Sequence, residues 1–452
     1  MPIHFSDSFL SNSWGHSSRI QTNLRGTILG AGLGRRLDPL TTHHLPKPLF
    51  PLGGKVPIAE VWIQRMIESG ITDVSMNICV LAETIKRHFG NGSRFGIDLK
   101  YLEEDTPTGT LGAVCKQALG VNTKQLDPEK NPSTISEFTG STILAPSGDI
   151  VTNFDSDLLE EMYATHRKMG AAITMVVTQV AENRKKDFGT VVLKSPDQNK
   201  GLISQSGQIE QFIEKDQNSP SNLTNASIYM IEMDLLKTID KVRTDAKAEL
   251  ENPFYDFGKH VFPAMLGKLP YIKLPKDYLL WAIQYDGGWF DVGNKRDYLK
   301  VNQHLLDGRI NVALPYEKLL WGYLGTNVSI DFSTVDIHPP VVIGNDCVIE
   351  PGVKLGPYAI IGDGWIVEKN STIRNSVLWE RYSYFPKNGA EVSAADRRLI
   401  DRHEVRRDVT IDESIIASGT ITTDVTGKTV HVLETGELEG ISIDYIPDEP
   451  RA

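Results

Sequence analysis

Gly30-Ala-Gly-Leu-Gly-Arg-Arg-Leu37 is the stretch of sequence that decides the fold of the first part of this chain. The apolar residues 26–29 before it are typical of a short buried strand that runs into a glycine loop. Because glycine has no Cβ, the backbone N–H groups of such a loop can approach phosphate oxygens closely. Many glycine loops are only tight turns, so this loop alone is weak evidence of function. Arg35 and Arg36 favour an anionic ligand, because guanidinium groups pair well with phosphate.

Apolar segments after the glycine loop alternate between helical and strand-like spacing as far as about residue 306. This alternation predicts an α/β fold with a mostly parallel sheet that is covered by helices on both faces. Ligands of such sheets bind beyond the carboxyl ends of the strands. The spacing predicts helices at 57–70, 82–89 and near 111–119, and strands at 73–78, 97–102 and 141–145, and the α/β pattern resumes through 157–169, 172–180 and 228–236.

A second pattern occupies the last third of the chain, where aliphatic residues recur at intervals of six: Ile343, Ile349, Leu355, Ile361, Val367 and Ile373. A period of six with three faces per turn predicts a parallel β-helix, in which stacked coils bury a continuous core. The repeats are well defined only from 337 to 378, which gives about two turns. Trp365 is too large for its position in the repeat, so we expect it to mark a bend or an end coil.

The composition excludes several classes of partner. The chain has 47 Lys and Arg against 58 Asp and Glu, a formal charge of −11, which disfavours binding to nucleic acid or to an anionic membrane surface. Cys79, Cys115 and Cys347 lack paired spacing and are typical of buried thiols in a reducing compartment. The polar residues 1–24 lack the pattern of a secretory signal, and no apolar run approaches the ~20 residues of a membrane helix. We therefore expect a cytoplasmic protein.

Lys47 stands between Pro46 and Pro48, whose stiff backbone would hold its ammonium group in place. The order glycine loop, Arg36-Leu-Asp-Pro-Leu-Thr41 and Pro46-Lys-Pro-Leu49 resembles the opening signature of the sugar-1-phosphate nucleotidyltransferases. The similarity continues in the order of that family over residues 26–306. The further matching segments are Pro107-Thr-Gly-Thr-Leu-Gly112, Gly148-Asp149, Phe188-Gly189, Phe212-Ile-Glu-Lys215, Asn225-Ala-Ser-Ile-Tyr229 and Gly288-Trp-Phe-Asp-Val-Gly293.

The resemblance implies a Rossmann-like nucleotidyltransferase domain with a mostly parallel mixed sheet, followed by a left-handed parallel β-helix. It also implies an enzyme whose substrates are a nucleoside triphosphate and a sugar-1-phosphate, with Mg²⁺ as cofactor. The predicted divisions are a polar leader at 1–24, a catalytic domain at 25–306, a connector at 307–325, the β-helix at 326–425 and an acidic tail at 426–452. Because end coils expose strand edges, we expect a homo-oligomer that forms through the β-helix.

The resemblance assigns roles to individual residues. It implies Asp149 and Asp291 as the ligands of Mg²⁺, and Arg36, Lys47, Asp149 and Lys215 as the catalytic residues. Nucleotide binding falls to Gly30, Ala31, Gly32, Gly34, Arg35 and Gly109, and sugar-phosphate binding to Gly189, Glu214, Lys215 and Asn225. Each residue has a plainer structural interpretation: Asp149 as a turn former, Asp291 as a satisfied buried carboxylate, Glu214 and Lys215 as a solvated pair. These residues occur together in the order of the family, and this favours the functional interpretation.

Several positions depart from the family pattern. Arg35 replaces a usual Thr or Ser, Ser147 stands close to a usual Asn, and Ser227 replaces a usual Gly. These departures leave the choice of base and sugar open. GTP with mannose-1-phosphate is our first hypothesis, and glucose-1-phosphate with UTP, dTTP or ATP is the alternative.

Two other classes of function compete with these. One is a bifunctional enzyme whose β-helix also transfers an acetyl group, which the short repeat run and the Leu37-Asp-Pro-Leu-Thr41 segment disfavour. The other is a non-catalytic regulatory subunit that senses an NDP-sugar. Retention of Asp149, Asp291, Lys47 and Lys215 argues against it, because a sensor need not keep metal ligands.

Overall fold

The structure is a computed structural model that describes residues 24–105, 107–120, 140–198, 201–246, 256–269, 274–380, 403–432 and 438–442. The predicted polar leader, apart from its last residue, and most of the predicted acidic tail lie outside the described residues. None of the described helices is both long and apolar enough to cross a bilayer.

The first domain alternates strands and helices, as the spacing predicts. Its strands are β1 (Leu24–Leu29), β2 (Pro51–Leu52), β3 (Val56–Pro57), β4 (Asp73–Ile78), β5 (Asp98–Glu103), β6 (Thr142–Pro146), β7 (Ile150–Thr152), β8 (Ile173–Gln179), β9 (Gly189–Gln198), β10 (Ile203–Glu214), β11 (Leu223–Glu232), β12 (Leu280–Tyr285) and β13 (Trp289–Asp291). Its α-helices are α1 (Leu40–His43), α2 (Ile58–Glu68), α3 (Ala82–Phe89), α4 (Gly109–Leu119), α5 (Ser156–Met169), α6 (Met233–Ala246), α7 (Phe262–Met265) and α8 (Lys295–Leu306).

The large sheet has the order β5-β4-β1-β6-β11-β8-β12-β10-β9. Strands β5, β4, β1 and β6 are mutually parallel, and β12 is parallel to β8. Strand β11 runs antiparallel to β6 and β8, and β9 and β10 form an antiparallel hairpin at one edge. The sheet is therefore mixed, as predicted, but it has fewer parallel pairs than predicted. One reason is that a hairpin joins β9 directly to β10 and reverses the chain, whereas a helical crossover would keep the two strands parallel.

Alternate residues of the strands enter different hydrophobic clusters, one on each face of the sheet. In β6, Leu144 packs into one cluster together with residues of α2, α5 and α8. Its neighbours Ile143 and Ala145 pack into the other cluster, with residues of α4 and α6. Burial on both faces explains why the central strands have nearly continuous apolar sequences.

The second domain is a coil of short strands that form three sheets. Its strands are β14 (Glu317–Leu319), β15 (Gly322–Leu324), β16 (Ser329–Ile330), β17 (Asp336–Ile337), β18 (Val341–Ile343), β19 (Val348–Ile349), β20 (Lys354–Leu355), β21 (Ala359–Ile361), β22 (Ile366–Val367), β23 (Thr372–Arg374), β24 (Ser376–Leu378), β25 (His403–Val405), β26 (Thr410–Asp412), β27 (Ile415–Ile416), β28 (Gly419–Ile421), β29 (Val425–Thr426), β30 (Lys428–Val432) and β31 (Leu438–Ser442).

The pairing register of the coil follows the six-residue period. Ile343 pairs in parallel with Ile361, Ile349 with Val367, and Leu355 with Ile373. Each pair is separated by three repeats, so one turn has three faces, and the aliphatic residues form a common core. This is the parallel β-helix that the repeats predict; its left-handed sense stays a prediction.

The coil is longer than the sequence indicates. Strand β15, inside the predicted connector, already pairs in parallel with β18, and β30, inside the predicted tail, pairs in parallel with β27. The expectation that Trp365 marks a bend or an end coil is wrong, because β22 directly after it pairs with β19 and with β25. Its ring is fully buried, and its Nε1 donates to the carbonyl oxygen of Trp379 at 2.7 Å. Coil length therefore no longer disfavours acetyl transfer, although the Leu37-Asp-Pro-Leu-Thr41 segment still does.

One face of the β-helix packs against the first domain. Val342, Ile360 and Val377 belong to the same hydrophobic cluster as residues of the first domain. The ring of Trp379 lies 4.8 Å from that of Phe50, centroid to centroid. Lys55, in the β2–β3 hairpin, forms ion pairs with two carboxylates of the β-helix, Asp363 and Glu380.

Candidate active site

Two aspartates meet where β7 and β13 pair. The chain turns sharply after β6, and Asp149 directly precedes β7. Strand β13 is antiparallel to β7, with Asp291 opposite Ile150. The N–H of Val292 also donates to the carbonyl oxygen of Asp149 at 3.1 Å. Residues that are 142 positions apart in the sequence (291 − 149) are therefore adjacent. Had they lain on opposite sides of the sheet, a common metal site would be impossible.

Lys47 lies between the two aspartates. Its Nζ forms an ion pair with Oδ2 of Asp149 and lies 3.9 Å from Oδ1 of Asp291. The lysine is in a short 3-10 turn, Lys47–Leu49, that begins after Pro46. Only 9% of its surface is exposed, so this ammonium group has left most of its water. The negative charges of Asp149 and Asp291 compensate the cost of this lost hydration.

The electrostatics of the two carboxylates differ. Burial alone would raise the pKa of Asp149, but the charge of Lys47 and the hydrogen bonds from Lys47 and Ser147 outweigh it and lower the pKa. Burial and the nearby charge of Asp149 raise the pKa of Asp291 to about 6, against smaller opposing effects of Lys47 and Arg36. Two carboxylates thus lie close together, opposed by the charges of Lys47 and Arg36.

Arg36 approaches the same place from the loop after β1. A Cβ added to Gly293 would lie 3.4 Å from both Nη2 of Arg36 and Oδ2 of Asp291, so the guanidinium and the carboxylate flank this glycine. Arg36 and its neighbour Arg35 are both exposed. An exposed guanidinium beside the aspartates can meet an anionic ligand that approaches from solvent.

The glycine loop, Lys47 and Asp149 line one cleft at the carboxyl ends of β1, β4 and β6. The N–H of Gly30 donates to Oδ1 of Asn77 at 2.8 Å, which fixes the start of the loop. Gly34 has φ +61°, and a Cβ there would meet Thr41 at 2.7 Å, so only glycine fits without strain. The cleft is lined by Leu29, Gly30, Ala31, Gly32, Lys47, Pro48, Asn77, Glu104, Pro107, Gly109, Thr110, Ser147, Gly148 and Asp149.

Glu104 is a residue of this cleft that sequence reasoning missed. It is a buried carboxylate, and its Oε2 accepts from Nδ2 of Asn77 at 2.8 Å. Its Oε1 accepts from the hydroxyl of Thr108, just before Gly109 begins α4. A sequence signal existed, because Glu104 closely precedes the Pro107–Gly112 segment, which resembles a sugar- and base-contacting loop of the family.

The residues predicted to bind the sugar phosphate form a second group around the β9–β10 hairpin. A Cβ added to Gly189 would lie 3.0 Å from Oε2 of Glu214, so this glycine lets the carboxylate approach the backbone. Burial, with a smaller contribution from the charge of Asp256, raises the pKa of Glu214, against the opposing charge of Lys215. The N–H of Lys215 donates to the carbonyl oxygen of Phe188 at 3.1 Å, and its side chain is exposed.

Aromatic and amide contacts join this second group to the aspartates. The ring of Phe188 lies 5.5 Å from that of Trp289, which is in β13 with Asp291. Nε1 of Trp289 donates to the carbonyl oxygen of Ala226 at 3.0 Å. The neighbouring Asn225 donates from Nδ2 to the hydroxyl of Tyr229 at 2.6 Å. The predicted sugar-phosphate residues are thus connected to the predicted metal ligands through β13.

Two departures from the family pattern have defined places here. The hydroxyl of Ser147 donates to Oδ1 of Asp149 at 2.5 Å, so this serine orients the aspartate. The N–H of Ser147 donates to the carbonyl oxygen of Ser227 at 2.9 Å. Ser227 itself has φ +58°, a left-handed conformation that glycine adopts without strain. A serine at the usual glycine position therefore keeps the backbone geometry at an energetic cost.

The donor set fits Mg²⁺ better than a metal held by protein ligands alone. Among the described residues, no cluster of three or more His, Cys, Asp or Glu could hold a metal ion. Two carboxylates, Asp149 and Asp291, are what Mg²⁺ uses when phosphate and water complete its octahedron.

A scan against protein-family models matches residues 25–308 to the nucleotidyl transferase model. The chain belongs to the nucleotidyl transferase family. This confirms the recognition of a sugar-1-phosphate nucleotidyltransferase from the sequence, and with it the expectation of an enzyme.

Curated relatives of this nucleotidyl transferase have different names. A UTP–glucose-1-phosphate uridylyltransferase of Synechocystis sp. is 28% identical over 84% of this chain and 88% of that protein. A probable mannose-1-phosphate guanylyltransferase 1 of Oryza sativa subsp. japonica is 26% identical over 82% and 93%. A glucose-1-phosphate adenylyltransferase of Halalkalibacterium halodurans is 28% identical over 73% and 82%. Three relatives at similar identity act on three bases, so similarity alone does not choose among them.

Proposed function

We propose that this enzyme condenses a nucleoside triphosphate with a sugar-1-phosphate and releases an NDP-sugar and pyrophosphate. The observation that carries the proposal is the meeting of Lys47 and Asp149 in the cleft of the glycine loop, with Asp291 3.9 Å from the ammonium of Lys47. Repulsion between two anionic phosphates is the main obstacle to joining them. Positively charged groups gathered in one place reduce this repulsion.

In the proposed reaction an oxygen of the sugar-1-phosphate attacks the α-phosphorus of the triphosphate. The bond between the α-phosphorus and the bridging oxygen breaks, and the electron pair leaves with pyrophosphate. The exposed guanidinium of Arg36 and the ammonium of Lys47 stabilise the charge that develops on the leaving group. Lys215 binds the sugar phosphate, and Glu214 accepts a hydrogen bond from a sugar hydroxyl. No residue forms a covalent bond with the substrate.

Mg²⁺ is part of this proposal. Asp149 and Asp291 would hold the ion, which neutralises charge on the phosphate oxygens when it is bound. Ser147 orients Asp149 through its hydroxyl group.

GTP as the triphosphate and mannose as the sugar rest on the sequence resemblance. The buried carboxylate of Glu104 supports the cleft in another way. It accepts from Nδ2 of Asn77 and from the N–H and the hydroxyl of Thr108, and its Oε1 lies 3.5 Å from Nζ of Lys116. A carboxylate offers about four acceptor positions, so these protein groups use them, and Glu104 holds the segment that leads into α4.

The test is pyrophosphate release from a panel that pairs GTP, UTP, dTTP and ATP with mannose-, glucose- and glucosamine-1-phosphate. We expect turnover with GTP in preference to the pyrimidine triphosphates. Glu104→Gln should lower kcat/KM about 10-fold with each triphosphate that the enzyme uses, because an amide cannot accept all the hydrogen bonds that hold the segment before α4. Asp105→Asn, an exposed neighbour outside the cleft lining, is the matched control and should leave kcat/KM unchanged. Tight NDP-sugar binding without turnover of any pair would instead favour a regulatory subunit.

A further inference from the structure

Both oxygens of the Asp149 carboxylate are already engaged in this structure. Oδ1 accepts from the hydroxyl of Ser147 at 2.5 Å, and Oδ2 pairs with the ammonium of Lys47. The same ammonium lies 3.9 Å from Asp291. One internal cation therefore occupies the space between the two proposed metal ligands.

A divalent cation and this ammonium group compete for the same oxygens. Two cations that share a carboxylate pair at such distances repel each other strongly, because little water remains to screen them. Lys47 is nine-tenths buried and cannot simply return to solvent when a metal ion enters. It needs another anion, and the glycine loop of the same cleft is where a triphosphate would supply one.

We propose that Lys47 is an internal counter-ion that excludes divalent cations from Asp149 and Asp291 until triphosphate arrives, and that it then transfers to the triphosphate. This inference rests on the proposed function for the identity of the metal ligands. Lys47 thus pairs first with the aspartates and then with the triphosphate. The substrate-free enzyme binds divalent cations weakly, and cation and triphosphate enter together.

Titration of the full-length protein with Mn²⁺, followed by the electron paramagnetic resonance signal of free Mn²⁺, tests this without any turnover. The titration is run at about pH 8, above the pKa of about 6 of Asp291 in the wild type. We expect Lys47→Met to bind Mn²⁺ about tenfold or more tightly than the wild type in the absence of nucleotide, because the competing charge is gone. Lys276→Met is the matched control, since that ammonium pairs with Asp234 at an exposed site, and it should bind like the wild type.

Two further variants make the result specific. Lys47→Gln keeps a polar side chain of similar reach and should reproduce the gain, should the methionine variant not fold. Adding Asp149→Asn to either variant should remove the gain, which places the Mn²⁺ at this carboxylate. Unchanged or weaker Mn²⁺ binding by folded Lys47→Met or Lys47→Gln overturns the proposal.

A measurement on the wild type does not depend on any variant. Crystals soaked in Mn²⁺ should show no anomalous peak between Asp149 and Asp291 without a triphosphate, and a peak when inorganic tripolyphosphate is present. A peak in the first soak contradicts the inference. Turnover assays report on the reaction separately: an active enzyme whose Lys47 variants gain no Mn²⁺ affinity overturns only the counter-ion role. A gain in affinity without turnover of any substrate pair overturns only the proposed reaction.

Discussion

Ser227 shows how a single residue can conflict with its own backbone position. Its φ of +58° is a conformation that costs a residue with a Cβ about 1–2 kcal/mol. Neighbouring contacts hold it there. Its N–H donates to Oδ1 of Asn225 at 2.9 Å, and its carbonyl oxygen accepts from Ser147. Because Ser147 also orients Asp149, the strained residue supports the proposed metal site.

Comparison of two variants isolates the cost of this conformation. We expect Ser227→Gly to have a free energy of unfolding about 1 kcal/mol greater than that of Ser227→Ala. Both variants lose the hydroxyl and its interaction with Tyr229, so their difference reports on the backbone alone. Urea denaturation followed by tryptophan fluorescence measures it. Equal midpoints, or a more stable alanine variant, would show that the backbone is not strained at this residue.

Sequence motifs predicted the charged residues of the site better than their supporting residues. Lys47 is flanked by two prolines, Asp149 follows a glycine, and Asp291 follows two aromatic residues, so short motifs identify all three. The fold brings them together. Asn77 was missed because its partners lie far along the chain, where spacing cannot reveal them, and Glu104 was missed because it stands just before the matching segment at 107–112. Gly30 is 47 residues from Asn77, and Asn77 is 27 from Glu104.

At the scale of elements, apolar periodicity located the strands and helices that bury a face. The predicted strand 73–78 and helix 82–89 have the same bounds in the structure. The β9–β10 hairpin was missed because its outer residues are mostly exposed and polar, which hides strand alternation. Strand β15, Gly322–Leu324, was missed because it pairs through its backbone without the aliphatic repeat.

The β2–β3 hairpin is the element that joins the proposed active site to the β-helix. It begins shortly after the Lys47 turn, and Lys55 within it lies 2.9 Å from Asp363 and is paired with Glu380. Burial alone would lower the pKa of Lys55, but the charges of these two carboxylates raise it, so the ammonium stays charged. The hydroxyl of Tyr316 also donates to Asp363 at 2.9 Å.

Loss of this lysine should destabilise the domain interface. Lys55→Met leaves two partly buried carboxylates without their shared cation, and we expect it to lower the free energy of unfolding by about 2–4 kcal/mol. Lys86→Met is the matched control, because Lys86 pairs with Glu83 and Glu103 near the surface and should lose less than about 1 kcal/mol. Urea midpoints of the two variants decide the question. Similar losses in both would mean that the interface does not depend on the Lys55 pairs.

At the scale of the whole molecule, the first coil of the β-helix (β15, β16 and β17) combines, within the described part of the chain, unpaired strand edges with exposed apolar side chains. Among the described strands, β16 and β17 each stand at the end of a sheet and pair on one side only. Leu320 beside them is fully exposed, Phe332 is half exposed, and the rings of Trp321 and Phe332 lie 6.1 Å apart. Free strand edges next to exposed apolar side chains favour pairing with another chain.

We therefore expect a homo-oligomer in which first coils meet, since a second copy offers the same edges and the same apolar side chains. Light scattering coupled to size exclusion should give a mass at micromolar concentration above the 50.2 kDa of one chain. The double variant Leu320→Glu and Phe332→Glu should elute as a monomer, because charges at the contact oppose its burial. Ile366→Glu is the matched control, an exposed apolar residue on the flank of the coil, and should leave the mass unchanged. A wild type that is already monomeric contradicts the expectation, and an oligomer that survives the double variant moves the contact away from the first coil.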